Sequence, residues 1–454
     1  MSADLAARIK AGIRQTNHPV TEDEAALEFA RLYGDQFRYD HDRGGWLQWD
    51  GSIWRVQRTR LPFHLARELA RDMARDSDLK TMVVAARTTF AAGVEQYARA
   101  DPVFARTSDD WDQDPWLAGC PDGTLNLRSG LVERADPDLG ITKSLAVAPA
   151  DKPDCPLFQT FLAETFGGDA DLIRFVQQFL GYCLTGITSE HALLFGYGGG
   201  GNGKSVLLNT ISGILGDYAT TAAMDTFTAS RGDKHPTDLA MLRGARFVNA
   251  SETEEGKAWA ESRIKQLTGG DTVSARFMRQ DFFQFRPTFK LFIVGNHRPE
   301  LRNVDEAARR RINIVPFNFK PLLPDPELEQ KLKPEWPAIL RWMIDGCLDW
   351  QAGGLTRPPS VTAATETYFD DQDLIGQWLE DECDVELGNP HKWESSSQLF
   401  KHWKAFADRA GLHGETNKKF AEAMRVRGFE YHRTKDARLF RGVQLRLPDG
   451  LGDR

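Results

Sequence analysis

The stretch ALLFGYGGGGNGKSVLLNTISGIL, residues 192–215, decides the reading of this chain. It opens on an apolar run, Ala192–Phe195, that suits a buried strand. It then passes through a run of glycines and closes on the apolar helical spacing of Val206–Leu215. GGGGNGKS, Gly198–Ser205, fits the G-x-x-x-x-G-K-[ST] pattern in the strand–loop–helix setting that the pattern requires. Gly198, Gly199, Gly200, Gly201, Asn202 and Gly203 would turn backbone N–H groups inward onto phosphates. The helix start through Lys204, Ser205 and Val206 would add its dipole. Lys204 is expected to reach the β- and γ-phosphates of ATP, and the Ser205 hydroxyl to hold Mg²⁺. A merely flexible glycine-rich loop is the plainer alternative, and both flanks speak against it.

Working outward, RFVNASETEEG (Arg246–Gly256) reads as a strand with acidic residues gathered at its end. Glu252 is best placed for the metal, and Glu254 and Glu255 are the choices for orienting an attacking water. Alone, such a cluster would be a solvated loop. Its place along the chain leaves room for a helix, another strand and their connections after Lys204, which favours the functional reading. In FKLFIVGNHRPEL (Phe289–Leu301) an apolar strand ends in Gly295 and Asn296. Asn296 there suits a γ-phosphate sensor, although a lone Asn after a strand is ordinarily a turn former. The triplet Arg309, Arg310 and Arg311 follows, and Arg310 or Arg311 suits stabilisation of transition-state charge on a γ-phosphate. Three adjacent arginines cannot all face one site, so one or two are expected to pair with Asp305, Glu306 or solvent.

The chain has 454 residues, 41% hydrophobic and 27% charged, enough for sizeable cores and about three domains. No membrane-spanning run and no secretory signal is evident, and the five cysteines show no metal or disulfide spacing. A reduced, cytoplasmic setting is therefore expected. The net charge of −8 gives no whole-molecule attraction to nucleic acid, so any such binding needs a local basic surface. Residues 276–311 supply one, with nine Arg/Lys against four Asp/Glu. Arg276 and Arg279 are interleaved with Phe277, Phe282 and Phe283, a combination that suits single-stranded DNA. The phenylalanines are expected to be mostly core. The Trp46, Trp49 and Trp54 cluster, in a hairpin turning at Asp50–Gly51, is likewise read as a buried face rather than a base-stacking platform.

The ordered set Gly198–Ser205, Glu252–Glu255, Thr268–Arg279, Asn296 and Arg311 resembles the superfamily 3 helicase module of phage and plasmid primase–helicases, a group related to the poxvirus primase–helicase. PDGTLNLRSG (Pro121–Gly130), ITKSLAVAP (Ile141–Pro149) and FLGYCLTG (Phe179–Gly186) resemble the helical domain that precedes that module. The resemblance implies an α/β, AAA+-like P-loop ATPase core, assembled as a hexameric ring with ATP between subunits. It also implies that Arg311 acts as a finger in trans, and that Lys265, Arg276 and Arg279 lie in a DNA-contacting segment. The first 110 residues show no carboxylate constellation for a primase, so a separate primase or polymerase is the expected partner. Glu252 is followed by Thr253 rather than by a second carboxylate, which leaves metal ligand and water-orienting base unassigned among Glu252, Glu254 and Glu255.

The expected organisation is an N-terminal α+β accessory domain (1–110), a helical domain (111–188), the ATPase core (189–330), a helical linker region (331–395) and a winged-helix-like domain (396–454). The functional expectation is an ATP hydrolase serving as a replicative DNA helicase of a mobile genetic element, translocating on single-stranded and forked DNA with ATP and Mg²⁺. Its rivals are a ring remodeller without unwinding activity and an ATP-regulated origin-binding initiator.

Overall fold

The computed structural model describes residues 20–229, 236–252, 258–278, 281–301, 306–321, 324–409, 416–433 and 437–446. At its centre five parallel strands lie in the order β14–β8–β13–β10–β9. These are β8 (Leu193–Tyr197), β9 (Ala219–Thr221), β10 (Phe247–Glu252), β13 (Lys290–Gly295) and β14 (Ile312–Pro316). The near-continuous apolar runs of β8, β13 and β14 are what a parallel sheet covered on both faces demands. Strand alternation divides their side chains cleanly. Leu194, Phe292, Val294 and Val315 point to one face, where α7 (Lys204–Leu215) packs through Leu207, Ile211 and Ile214. Leu193, Phe195, Ile293 and Ile314 point to the other, against Trp259, Tyr368 and Phe369.

The first face is thickened by α5 (Pro156–Thr165), α6 (Ala170–Tyr182) and α12 (Trp336–Gly353). Gly181 of α6 and Gly346 of α12 let the two helices meet backbone to backbone. A Cβ on Gly181 would lie 2.5 Å from the Met343 carbonyl and collide with Cys347 N. Helix α12 falls in the stretch 331–395 expected to be a linker region. Instead Ile339, Leu340, Met343 and Ile344 are fully buried in the main core. Thr356, in the short connection that follows, donates its N–H to Gln178 at 3.0 Å.

Before the central sheet, β1 (Phe37–Asp40), β2 (Gly45–Trp49), β3 (Trp54–Val56) and β4 (Ala105–Arg106) form a small sheet. It is covered by α1 (Glu22–Tyr33), α2 (Leu61–Met73) and α4 (Thr88–Ala100). As expected for a buried face, Trp46 and Trp54 are core, and the Trp46 Nε1–H donates to Glu95 at 2.9 Å. A three-stranded meander, β5 (Leu117–Cys120), β6 (Gly123–Asn126) and β7 (Leu131–Glu133), bridges to the central sheet.

At the other end, α15 (Ser396–Arg409) and α16 (Asn417–Val426) precede the hairpin β17 (Glu430–Arg433) and β18 (Arg438–Arg441). Gly428, at φ +89°, ends the second helix as a left-handed glycine. Their core also takes in Ile375, Trp378 and Leu379 of α14 (Leu374–Glu382), so α14 packs with the tail that follows it. All five cysteines are buried and unbonded to one another. No helix among the described residues is long and apolar enough to cross a membrane.

Candidate functional site

The parallel register builds the site. Gly295 of β13 lies opposite Tyr197 of β8 on one side and Glu252 of β10 on the other, and Pro316 of β14 lies opposite Tyr197. The loop 198–203, Glu252 and Asn296 therefore all emerge from the carboxyl edge of adjacent strands, where ligands of open α/β sheets sit. Asn296 is exposed directly after its strand. For Glu252 the backbone position alone is described, and Glu254 and Glu255 lie outside the described residues.

Two of the loop's glycines take backbone conformations that favour glycine. Gly201 and Gly203 stand at φ +76° and +83°, left-handed conformations that side chains avoid. A Cβ on Gly203 would come within 2.8 Å of the Phe161 ring, and one on Gly198 would collide with the Phe317 carbonyl and the Asn202 amide. Around Gly199 and Gly200 the space is open.

Lys204, the first residue of α7, is 7% exposed and curls back into the loop. Its ammonium donates to the Gly198 carbonyl at 2.6 Å, to Asn202 Oδ1 at 2.8 Å and to the Gly199 carbonyl at 3.3 Å. Burial lowers its pKa from the ordinary lysine value. A cation held only by neutral oxygens favours an anion that would restore its lost solvation. Asn202 braces the arrangement by donating to the Phe317 carbonyl at 2.6 Å, which ties the loop to the residue following β14. Ser205 and Val206 follow in the first turn of α7, Ser205 exposed and Val206 half-buried.

The exposed Ser205 hydroxyl and the carboxylate residue Glu252 are hard oxygen donors of the type Mg²⁺ takes together with substrate phosphates and water. Among the described residues no group of three His, Cys, Asp or Glu converges on a metal-sized point.

Arg311 is not brought to this edge. It ends α10 (Glu306–Arg311) and immediately precedes β14, whose first residue, Ile312, lies opposite Leu193 at the start of β8. At about 3.3 Å per strand residue, the length of β14 puts Arg311 roughly 15 Å from the loop edge. Its Nη1 donates to Ala307 O at 2.9 Å, and its Nε is buried without a partner. Arg310 is exposed, and its carbonyl accepts from Arg357. Arg309 lies over the Phe369 ring at 5.0 Å and 3.6 Å from Asp370. One member of the triplet thus pairs with a carboxylate, Asp370, in the stretch read as linker, while Asp305 lies outside the described residues.

The basic aromatic segment forms a hairpin of β11 (Val273–Ala275) and β12 (Phe283–Phe285). Its phenylalanines depart from the expectation of a mostly buried set. Phe277 and Phe282 are 39% and 60% exposed near the tip, while only Phe285 is buried. Phe277 and Phe282 both lie in the connection between β11 and β12, outside the two three-residue strands. Phe277 stacks on Phe283 at 5.4 Å, and the Arg276 guanidinium lies 4.9 Å over Phe282. Arg279 lies outside the described residues, and Lys265 is half-buried on α9 (Glu261–Thr268).

Two cations at the loop edge were missed by the sequence reading. Arg298 lies 4.4 Å over the Tyr197 ring, with Nε buried and unpartnered and Nη1 3.1 Å from Asp371. Lys320 would touch a Cβ on Gly201 at 3.4 Å. Arg298 stands two residues beyond Asn296, so the signal was adjacent. For Lys320 nothing in the sequence pointed to the loop.

Residues 26–167 match a family model described as D5 N terminal like, and residues 196–311 match a family of unknown function, DUF5906. The chain is 26% identical to a putative helicase, L207/L206, of Acanthamoeba polyphaga mimivirus, over 67% of this chain and 34% of that protein. It is 24% identical to putative helicase 022R of Frog virus 3 (isolate Goorha), over 54% and 27%. It is 27% identical to putative primase C962R of African swine fever virus (strain Badajoz 1971 Vero-adapted), over 42% and 22%. The chain thus spans about a third or less of the length of these curated relatives. Among solved structures, the apo NrS-1 C terminal region (305–718) shares the fold, with a TM-score of 0.53 and 10% identity over 93% of this chain and all of that one. The chain is thus similar to the D5 N-terminal-like family over residues 26–167, and to viral proteins named as helicases and primases.

Proposed function

We propose that the chain is the motor part of a replicative DNA helicase, an ATP hydrolase that works as a homo-oligomeric ring on single-stranded DNA. The observation that carries this reading is the placement of polar groups at opposite sheet edges. Lys204, Ser205, Glu252 and Asn296 gather at the carboxyl edge, and Arg311 stands at the amino edge. Within one subunit the length of the sheet keeps Arg311 from the loop, whereas a head-to-tail ring brings one subunit's amino edge to the next subunit's carboxyl edge.

In this reading the loop N–H groups and Lys204 bind the β- and γ-phosphates, replacing the carbonyls that now hold the ammonium. Ser205 and Glu252 hold Mg²⁺, which supplies charge neutralisation on the phosphates when bound. Glu254 or Glu255 orients the water, Asn296 hydrogen-bonds the γ-phosphate, and Arg311 of the neighbouring subunit stabilises the charge that develops there. The exposed Phe277, Phe282 and Arg276 are the strand-contacting tip, with Lys265 and Arg279 nearby in the same segment. The tail of α15, α16 and the β17–β18 hairpin is read as a winged helix at the fork. The domain limits given above stand as part of this reading, with α12 joining the core and α14 joining the tail.

The test is ATP turnover with and without single-stranded DNA for wild type, Lys204→Ala and Arg311→Ala, with solution mass measured in parallel. Stimulated turnover by an oligomer, lost in each variant and restored on mixing the two, supports the ring motor. A monomer with DNA-indifferent turnover overturns it.

A further inference from the structure

A cavity of about 410 Å³ opens at the amino edge of the central sheet, opposite the edge that carries Lys204. Its walls come from residues just before the strands: His191 before β8, Tyr218 before β9, Arg246 before β10 and Thr288 before β13. Lys143 and Arg286 complete the cationic lining. Lys290 stands directly behind, its ammonium on the carbonyls of Thr185, Ile187 and Thr288.

Carbonyl oxygens hold these cations. Lys143 donates to Asp217 O at 2.9 Å, Arg246 to Leu184 O at 2.6 Å and Leu117 O at 2.5 Å, and Arg286 to Gly270 O at 3.4 Å. Among the described residues none of the four pairs with a carboxylate. The one carboxylate in the described wall, Asp112, accepts from the N–H and hydroxyl of Thr142 and, with Asp217, offsets part of the burial cost of Lys143 through its charge. With Lys143, Arg246 and Arg286 against the single carboxylate of Asp112, the described wall carries an excess of positive charge, which in a chain of net charge −8 suits an anion. Burial also depresses the Lys143 pKa, a cost that an anion would offset.

Backbone strain converges on the same place. Asp112 and His191 stand at φ +52° and +51°, two of the three non-glycine residues with positive φ among those described, and both line the cavity. Strain of this kind collects at ligand sites, where the surrounding structure over-determines it.

The cavity also lies at the root of the β11–β12 hairpin, with Gly270 just before its first strand and Arg286 just after its second. A strand whose bases meet Phe277 and Phe282 at the tip is thereby led to a cationic recess at the base. We propose that this cavity is a second phosphate-binding site, separate from the glycine-rich loop, that takes a backbone phosphate of the nucleic-acid strand engaged by the hairpin. The phosphate chemistry stands on the cavity alone. Its assignment to a strand rests on the reading of the hairpin given above.

The experiment uses the full chain carrying Lys204→Ala, so that the loop does not contribute. Binding of a labelled single-stranded oligonucleotide is followed by anisotropy across salt, and binding of tripolyphosphate by calorimetry. Lys143→Gln with Arg286→Gln is compared with Arg276→Gln at the tip, and thermal midpoints verify folding. The expected result is at least tenfold weaker oligonucleotide binding for the cavity pair, with a salt slope reduced by about 0.7 for each phosphate that is no longer neutralised, and loss of tripolyphosphate binding. If the cavity pair binds both probes like its parent while Arg276→Gln weakens the oligonucleotide, the cavity is a structural junction and the proposal fails. If the pair loses tripolyphosphate alone, the assignment to a strand is overturned in favour of a free polyphosphate. If the pair weakens the oligonucleotide and Arg276→Gln does not, the cavity proposal holds and the hairpin-tip reading fails.

Discussion

Lys204 and Lys290 show how the same side chain serves different ends according to what surrounds it. Lys204 is curled onto the carbonyls of a glycine loop with open space beside it, so its charge is available to a phosphate. Lys204→Ala should cut ATP turnover by about 10² or more while leaving the thermal midpoint close to wild type, because no buried carboxylate is orphaned. Lys290 is sealed in the core, where burial pushes its pKa down to about 7. Its folded value lies below its unfolded one, so the unfolded chain binds the extra proton between about pH 7 and 10.5. This residue's destabilisation is therefore full below pH 7 and fades as pH rises towards 10.5. Compared with Lys290→Met, wild type should gain relative stability over that window, read from urea midpoints at pH 7 and 9.5. A constant difference would show that Lys290 keeps an ordinary pKa.

At the scale of elements, the decisive contacts are close backbone approaches and the projecting hairpin. Helices α6 and α12 touch through Gly181 and Gly346, so Gly181→Ala should destabilise by about 1–3 kcal/mol through overpacking, measured by urea unfolding. The hairpin gives the opposite expectation. Phe277 and Phe282 are exposed, so Phe282→Ala should alter stability by no more than about 0.5 kcal/mol. It should nevertheless weaken single-stranded DNA binding by about 1–3 kcal/mol if a base stacks there. Equal binding by this variant would remove the tip from the nucleic-acid surface. The helices and strands themselves were legible in advance where period and punctuation agreed, as in α7 after Gly203 and α16 before Gly428. The exposure of the hairpin phenylalanines was not, because alternation of Arg and Phe reads the same whether the aromatic face is covered or bare.

For the whole molecule, the two edges of the parallel sheet hold different halves of one proposed machine. An isolated subunit carries Arg311 roughly 15 Å from its own loop edge by strand rise. Arg311→Ala should therefore lower turnover by about 10³-fold, and mixing with Lys204→Ala should recover part of it through hybrid interfaces. No recovery would argue that the arginine acts within its own chain or not at all. The sequence alone determined the α/β core, the order of its strands along the chain and the glycine-loop candidates, because periodicity and glycine placement are local properties. Only the tertiary structure decided that Tyr197, Gly295 and Glu252 share one register, since strand pairing joins residues far apart in the chain. It alone placed Arg311 at the far edge, made α12 part of the main core and left Phe277 and Phe282 exposed. It also gathered Lys143, Arg246 and Arg286 around one cavity, because burial and neighbourhood depend on which surfaces the packed elements cover.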